Sequence, residues 1–146
     1  MQKRRRFTLQ AVLDYRLQVE ETARRAVAEL LRMDAAHAGA MKSCEQAALE
    51  HMRLLHGGGP LSIAQARACE FHLAALRDCS SRLLAESRDV RAALDRARHH
   101  AIEAARDRRA IETLRDRYLA VCAAAHRRVE EEDIAEVDSF RKGNAG

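Results

Sequence analysis

The sequence predicts an all-α fold: a long two-helix antiparallel coiled-coil hairpin with an overhanging C-terminal helix. Glycine and proline are clustered, and residues 61–142 contain neither of these helix breakers. Aromatic residues make up only 3% of the chain, too few for the strands of a β-sandwich or an α/β domain. Uncharged residues also recur every seven positions, which is typical of a coiled coil. A length of 146 residues allows a single coiled-coil domain, residues 1–146.

The first helix is expected over about residues 8–56. Thr8 is suited to the N-cap, and Gly57 to the left-handed residue that follows the last turn. An uncharged row at seven-residue spacing is expected to form the buried seam of this helix: Val12, Val19, Ala26, Met33, Ala40, Ala47 and Leu54.

A turn at residues 57–61 and a second helix over about residues 62–140 are expected next. Ser62 and Gln65 form a capping-box pattern directly after the sequence Gly-Gly-Gly-Pro. Because the turn is short, the two helices are expected to run antiparallel.

Two rows are expected to form the seam of the second helix. A companion row starts at Leu73 and meets two arginines, Arg108 and Arg115. Leu114 and Val121 are expected to replace these arginines as apolar contacts. The main row has no charged residue: Cys69, Leu76, Leu83, Val90, Ala97, Ala104, Ile111, Tyr118 and Ala125.

The two helices have unequal lengths. If the chain folds back at the turn, residue i lies opposite about residue 118 − i, so Phe7 is expected near Ile111. The second helix after about Tyr118 then has no partner within the chain. An unpartnered apolar stripe on such a helix predicts contact with another chain. The stripe contains Leu119, Val121, Cys122, Val129, Ile134, Val137 and Phe140.

Both ends of the chain carry a family-like pattern. Residues 7–16 read Phe-Thr-Leu-Gln-Ala-Val-Leu-Asp-Tyr-Arg, and the pattern continues in Glu20, Glu21 and Ala23. These residues resemble the start of FliJ-type proteins, the small coiled-coil component of the bacterial flagellar type III export apparatus, which are related to YscO-type proteins of injectisomes. The resemblance extends to the C-terminal part through Arg109, Ile111, Glu112, Leu114, Arg117, the acidic run 130–133 and residues 138–141.

The resemblance implies a non-enzymatic stalk and adaptor without a cofactor. Its implied partners are the hexameric export ATPase, the cytoplasmic domain of the export gate membrane protein, and export chaperones. The implied location is cytoplasmic, peripheral to the inner membrane at the flagellar base. The residues implied to face the ATPase ring are Phe7, Leu9, Leu13, Arg16, Arg117, Leu119, Val121, Val129, Ile134, Val137 and Phe140.

The resemblance also implies a gate-facing surface early in the second helix. His72 stands where the family often has an aromatic residue, and Phe71 lies beside it. Independently of the family, Phe71 falls at the outermost heptad position, where it is either a partner anchor or a scattered surface residue. The implied gate-facing residues are Phe71, His72, Leu73, Ala75, Leu76 and Cys79.

The charge distribution does not favour nucleic acid as a partner. The net charge of +4 comes from residues 3–6, because the remaining 22 basic residues balance 22 acidic ones. No apolar run is long enough for membrane insertion. The four cysteines show no CxxC spacing, and no HExxH motif is present, so reduced thiols and no metal site are expected. The sequence contains no P-loop and no nucleophile elbow, so no catalytic motif indicates an enzyme.

Three alternatives remain open from the sequence. The chain could serve as the equivalent stalk of an injectisome, which differs in the secretion system and not in the fold. The basic N-terminal arm allows a coiled coil that binds nucleic acid with strong salt dependence. The overhang also allows a homo-oligomeric structural rod in which it pairs with a second copy.

Overall fold

The computed structural model describes residues 7–146, and over these residues it contains two helices and no strand. Helix α1 spans Gln10–His56 and helix α2 spans Ile63–Asn144. The two helices pack against each other as an all-α helical hairpin, which confirms the predicted fold class. The basic residues 3–6 lie outside the described residues.

Hydrogen bonds define where each helix begins. The backbone N–H of Gln65 donates to Ser62 Oγ at 3.1 Å, and the backbone N–H of Ser62 donates to Gln65 Oε1 at 3.0 Å. This reciprocal pair confirms the capping box. The N-cap prediction for Thr8 is wrong, because the N–H of Leu13 donates the first helical bond to the carbonyl of Leu9 at 2.9 Å.

Two neighbouring glycines end α1 for different physical reasons. The left-handed residue is Gly58, with φ of +73°, and not Gly57 as the sequence predicts. At Gly57 a Cβ atom would lie 2.6 Å from the carbonyl oxygen of Arg53, so the last helical turn leaves no space for a side chain. Both positions therefore favour glycine.

The buried side of α1 lies one residue away from the expected row. Leu13 is fully buried, whereas Val12 is 38% exposed and Leu54 is exposed. Three members of the expected row, Val19, Ala40 and Ala47, are half-buried, but Ala26 and Met33 are also exposed, so the row as a whole is wrong. The seam instead includes charged residues, among them Glu20 and Asp34. The observed rows of buried and half-buried residues are Leu13, Glu20, Val27, Asp34, Met41, Ala48 and Leu55, and Leu9, Arg16, Ala23, Leu30, His37, Cys44 and His51.

The seam of α2 follows one expected row and corrects the other. The main row is buried or half-buried over Cys69–Tyr118, as predicted, but its last predicted member, Ala125, is exposed. The companion row keeps Arg108 and Arg115 half-buried, and Leu114 and Val121 are exposed. The predicted replacement is wrong: Glu20 and Glu112 stabilise the charge of Arg108 within the seam, and Arg115 stays half-buried beside it.

The described chain divides into two compact units. Residues 7–20 and 103–146 belong to one unit, and residues 21–102 form the other. In the first unit the rings of Phe7 and Tyr118 lie 5.6 Å apart between centroids. The predicted proximity of Phe7 to Ile111 is therefore wrong by one heptad.

The hairpin connection explains this displacement. In the second unit His51 stacks on His72 with 5.3 Å between ring centroids. α1 ends at His56, five residues after His51, whereas α2 begins at Ile63, nine residues before His72. The turn is thus asymmetric about the paired positions, whereas the estimate from the sequence assumes a symmetric turn.

Candidate partner-binding sites

An apolar face lies near the C-terminal end of α2. Every residue from 125 to 146 is exposed, and Phe140 is 72% exposed. Val129, Val137 and Phe140 lie within about 80° of one another around the helix, and Ile134 borders them. We call these four residues, Val129, Ile134, Val137 and Phe140, the C-terminal apolar face.

Three further predicted ring-facing residues precede this face on α2. Arg117, Leu119 and Val121 are all exposed. Leu119 lies about five helical turns before Val137, so both point in the same direction around α2. Val121 lies on nearly the opposite side of the helix, and a partner covering the C-terminal apolar face along one side would leave it uncovered.

The predicted ring-facing residues near the start of the chain pack against α2. Leu13 is fully buried, and Phe7 and Leu9 are half-buried. The Arg16 guanidinium forms an ion pair with Asp107, with Nη1 3.1 Å from Oδ2. In this structure the four residues hold the first turns of α1 against α2.

A buried ionic cluster lies beside these residues in the same unit. Glu20 is only 3% exposed, and its carboxylate accepts a hydrogen bond from Nε of Arg108. Nη1 of Arg108 also donates to Glu112 at 2.6 Å. The hydrogen bond to Glu20, followed by that to Glu112, raises the pKa of Arg108 above its ordinary value, so the guanidinium stays charged.

Sequence reasoning missed this cluster because it treated Arg108 as an interruption of an apolar row. The available signal was complementarity: an acidic residue, Glu20, sits on a seven-residue row of α1, and a basic residue sits on one of α2. Asp34, on the same α1 row as Glu20, also forms an ion pair in the other unit, with 3.3 Å between its Oδ1 and Nε of Arg91, but Arg91 is exposed and lies outside both α2 rows. The Glu20–Arg108 pair shows that opposite charges on facing rows belong to the seam together with the apolar residues.

The predicted gate-facing surface contains a prominent aromatic residue. Phe71 is 73% exposed, and its ring meets His72 edge-on at 6.1 Å between centroids. His72 is exposed at one side and stacks on His51 at the other. The Phe71 ring thus packs on His72 on one side and is accessible to a partner on the other.

The other predicted gate-facing residues divide between the surface and the seam. Ala75 is exposed beside Phe71. Leu73 is buried, and Leu76 and Cys79 are half-buried. A partner that leaves the hairpin closed can reach Phe71, His72 and Ala75, whereas the other three contribute to packing between the helices.

The described residues contain no evident metal centre or membrane span. Over residues 7–146 no group of three or more His, Cys, Asp or Glu side chains is placed to hold a metal ion. In the same part of the chain, neither helix has an apolar stretch that could traverse a bilayer.

The fold and its exposed apolar residues define a class of protein: a helical hairpin that offers surfaces to other proteins. Comparison with protein families matches residues 5–144 to the family described as Flagellar FliJ protein. The chain therefore belongs to the FliJ family, which confirms the resemblance seen at its two ends. The search of curated proteins and the search of solved structures gave no match.

Family membership supports a coarse functional assignment. FliJ-family proteins are cytoplasmic components of flagellar protein export, with a stalk role in general. The family is a structural and adaptor family and not an enzyme family.

Proposed function

We propose that this chain is the stalk and adaptor of the flagellar type III export ATPase complex. It links the hexameric export ATPase to the cytoplasmic domain of the export gate membrane protein and interacts with export chaperones. It works in the cytoplasm, peripheral to the inner membrane at the flagellar base. The observation that carries the proposal is the exposed C-terminal apolar face in a chain of the FliJ family.

The C-terminal apolar face supports docking into the ATPase ring. Its four side chains are all more than half exposed, and no described residue of α1 covers them. Burying such side chains against a partner removes apolar area from water, at about 25 cal/mol per Å². A single helix carrying this face fits a narrow cavity lined by several subunits, because it offers apolar contacts over a wide arc of its surface.

The remaining ring-facing residues have two roles in this proposal. Leu119 extends the ring contact along the same side of α2, and Arg117 and Val121 contact ring subunits on the opposite side of the helix. Phe7, Leu9, Leu13 and Arg16 hold the start of α1 beside that segment, so their removal would act through the packing of the hairpin.

A pair of substitutions tests the ring contact. Val137→Ser with Phe140→Ser removes the centre of the face, and both side chains are exposed, so the helix content is expected to stay unchanged. The loss of an interface anchor is worth about 2 kcal/mol or more, which lowers affinity for the cognate ATPase at least about 30-fold. Affinity is measured by surface plasmon resonance on the immobilised hexamer.

The matched control changes two exposed acidic residues that lie about 100° or more around the helix from both Val137 and Phe140. Glu131→Ser with Asp138→Ser is expected to keep the affinity within about threefold. Equal affinity of the apolar variant and the unsubstituted chain would overturn the ring proposal. Deletion of residues 118–146 is expected to abolish binding to the ATPase. Light scattering over a dilution series measures whether the chain is a monomer or a dimer, and so tests the alternative that the overhang pairs with a second copy.

The exposed aromatic ring of Phe71 supports the gate contact. Phe71→Ala is expected to lower affinity for the cytoplasmic domain of the gate protein by about tenfold or more. The control is Ile63→Ala, because Ile63 is 76% exposed on the same helix and is absent from the proposed surface. If both variants bind equally well, or if Ile63→Ala has the larger effect, the gate contact lies elsewhere.

A further inference from the structure

Three successive cross-helix pairs follow one another in the unit of residues 21–102. From one pair to the next, the α1 residue moves seven positions forward along the chain and the α2 residue moves seven positions back. This is the step that an antiparallel pair of helices requires. The pairs are His37–Glu86, Cys44–Cys79 and His51–His72.

The outer two pairs hold the register independently of the cysteines. His37 Nε2 lies 3.1 Å from Oε2 of Glu86. The rings of His51 and His72 are nearly parallel, with 16° between their planes. Because these contacts lie one heptad on either side, the helices keep the two thiols opposite each other without any bond between them.

The middle pair brings two sulfur atoms into contact. Cys44 Sγ donates a weak hydrogen bond to Cys79 Sγ at 3.8 Å, and both residues are half-buried. A disulfide requires a separation of about 2.05 Å, so rotation of the two side chains has to bring the sulfur atoms closer by about 1.8 Å. Partial exposure leaves a small reagent in water able to reach the pair.

We propose that Cys44 and Cys79 are a site of reversible oxidation, at which exchange with a low-molecular-weight disulfide such as oxidised glutathione forms a disulfide between α1 and α2. The stalk proposal does not require this modification, and the bond forms within one chain.

The exchange has two balanced steps. Cys79 loses its proton to water, and its thiolate attacks one sulfur of oxidised glutathione, so that one glutathione thiolate leaves with the electron pair of the broken bond and takes up a proton. Cys44 then loses its proton to water and attacks the Cys79 sulfur, which displaces the second glutathione thiolate. Two protein thiols are oxidised to one disulfide, and oxidised glutathione is reduced to two glutathione molecules.

The environment of the pair affects the ionisation of Cys44. Burial raises the pKa of the Cys44 thiol, and the hydrogen bond to Cys79 raises it further. Cys44 therefore keeps its proton in the resting pair, in which its S–H points toward Cys79 Sγ. Thiols are the resting form in a reducing cytoplasm, and the disulfide forms when the pool of small disulfides rises.

The bond would lock the hairpin in this unit. It closes a loop over residues 44–79, which contains the glycine-rich turn. Closing a loop of this length restricts the unfolded chain, and a rise in Tm of about 10 °C is expected.

The test uses the full chain and oxidised glutathione as the reagent. After incubation, the number of reactive thiols is expected to fall from four to two without dimer formation. Tryptic digestion is expected to give one crosslinked product that joins residues 43–53 to residues 78–82. Addition of dithiothreitol should restore four thiols and the original Tm.

One double variant and one single variant separate this bond from other cysteine chemistry. Cys69→Ala with Cys122→Ala should retain the crosslink and the Tm rise, whereas Cys44→Ser should lose both and accumulate glutathione on Cys79. Circular dichroism establishes that each variant is folded before oxidation. A crosslink involving Cys69 or Cys122, a dimer linked between chains, or four unreacted thiols in the folded chain would overturn the proposal.

Discussion

The identity of the α1 seam can be tested at one fully buried side chain, Leu13. The structure places Leu13 inside the hairpin, and Val12, one residue earlier, is exposed. The uncharged row that contains Val12 is what the sequence alone favours for the seam. Leu13→Ala and Val12→Ala therefore distinguish two packings that differ by one residue.

The expected magnitude follows from the burial of Leu13. Truncation of a buried leucine to alanine costs about 2–5 kcal/mol, because contacts are lost and a cavity remains. The seam is only two helices thick, so water reaches the gap from its sides, and the lower part of that range applies. The free energy of unfolding should fall by about 2–3 kcal/mol for Leu13→Ala and by less than about 1 kcal/mol for Val12→Ala.

Urea unfolding followed by circular dichroism at 222 nm measures both values. Leu17→Ala is a control with the same chemical change on the same helix, because Leu17 is 43% exposed. It should alter the free energy of unfolding by no more than about 0.5 kcal/mol. The reasoning fails if Val12→Ala costs as much as Leu13→Ala, or if the two leucine variants are equally stable.

Three further predictions concern the turn, the ionic cluster and the thiol pair. Gly58→Ala should lower the free energy of unfolding by about 1 kcal/mol because φ is +73°, whereas Gly59→Ala, with open space at its Cβ, should not; urea titration measures both. Glu20→Leu alone should lower the Tm more than Glu20→Leu combined with Arg108→Leu, because the single change leaves a half-buried guanidinium without its closest partner; calorimetry orders the variants. Cys44 should react with iodoacetamide at a higher midpoint pH in the folded chain than in urea, and the stability associated with its raised pKa should be lost as pH rises through that pKa.

The helix content and the capping of α2 could be read directly from local sequence. The chain from residue 61 to residue 142 lacks both helix breakers, and the Ser62–Gln65 pattern forms the expected reciprocal hydrogen bonds. These features depend on neighbouring residues, so no knowledge of the partner helix is needed. The main α2 row was also predictable, because it is uncharged over its whole buried length.

The α1 seam and the register could not be predicted in the same way. Heptad analysis favours uncharged rows, but Glu20 becomes acceptable in the seam only when Arg108 lies across from it. The proximity of Phe7 to Tyr118 depends on how the turn displaces the two helices, which residue counting treats as symmetric. Both features are properties of a pair of helices and not of either helix alone.

Of the two candidate binding surfaces, one could be predicted from the sequence and the other depends on packing between the helices. Exposure of the C-terminal apolar face was expected from the unequal helix lengths, because a helix without a partner exposes its apolar residues. The sequence places Phe71 and Leu73 in the same candidate surface, although Phe71 is exposed and Leu73 is buried in the structure. Only packing against α1 decides which residues of that segment another protein can reach.

By itself, the sequence determined that this protein is two long helices joined by a glycine-rich turn, and its two ends carried the FliJ family pattern. Those properties rest on local helix propensity, capping and composition, which act over a few residues. The tertiary structure alone decided which row of α1 is buried and which residues meet across the helices. It placed Cys44 against Cys79, because contact between residues far apart in the chain depends on the register of one helix against the other.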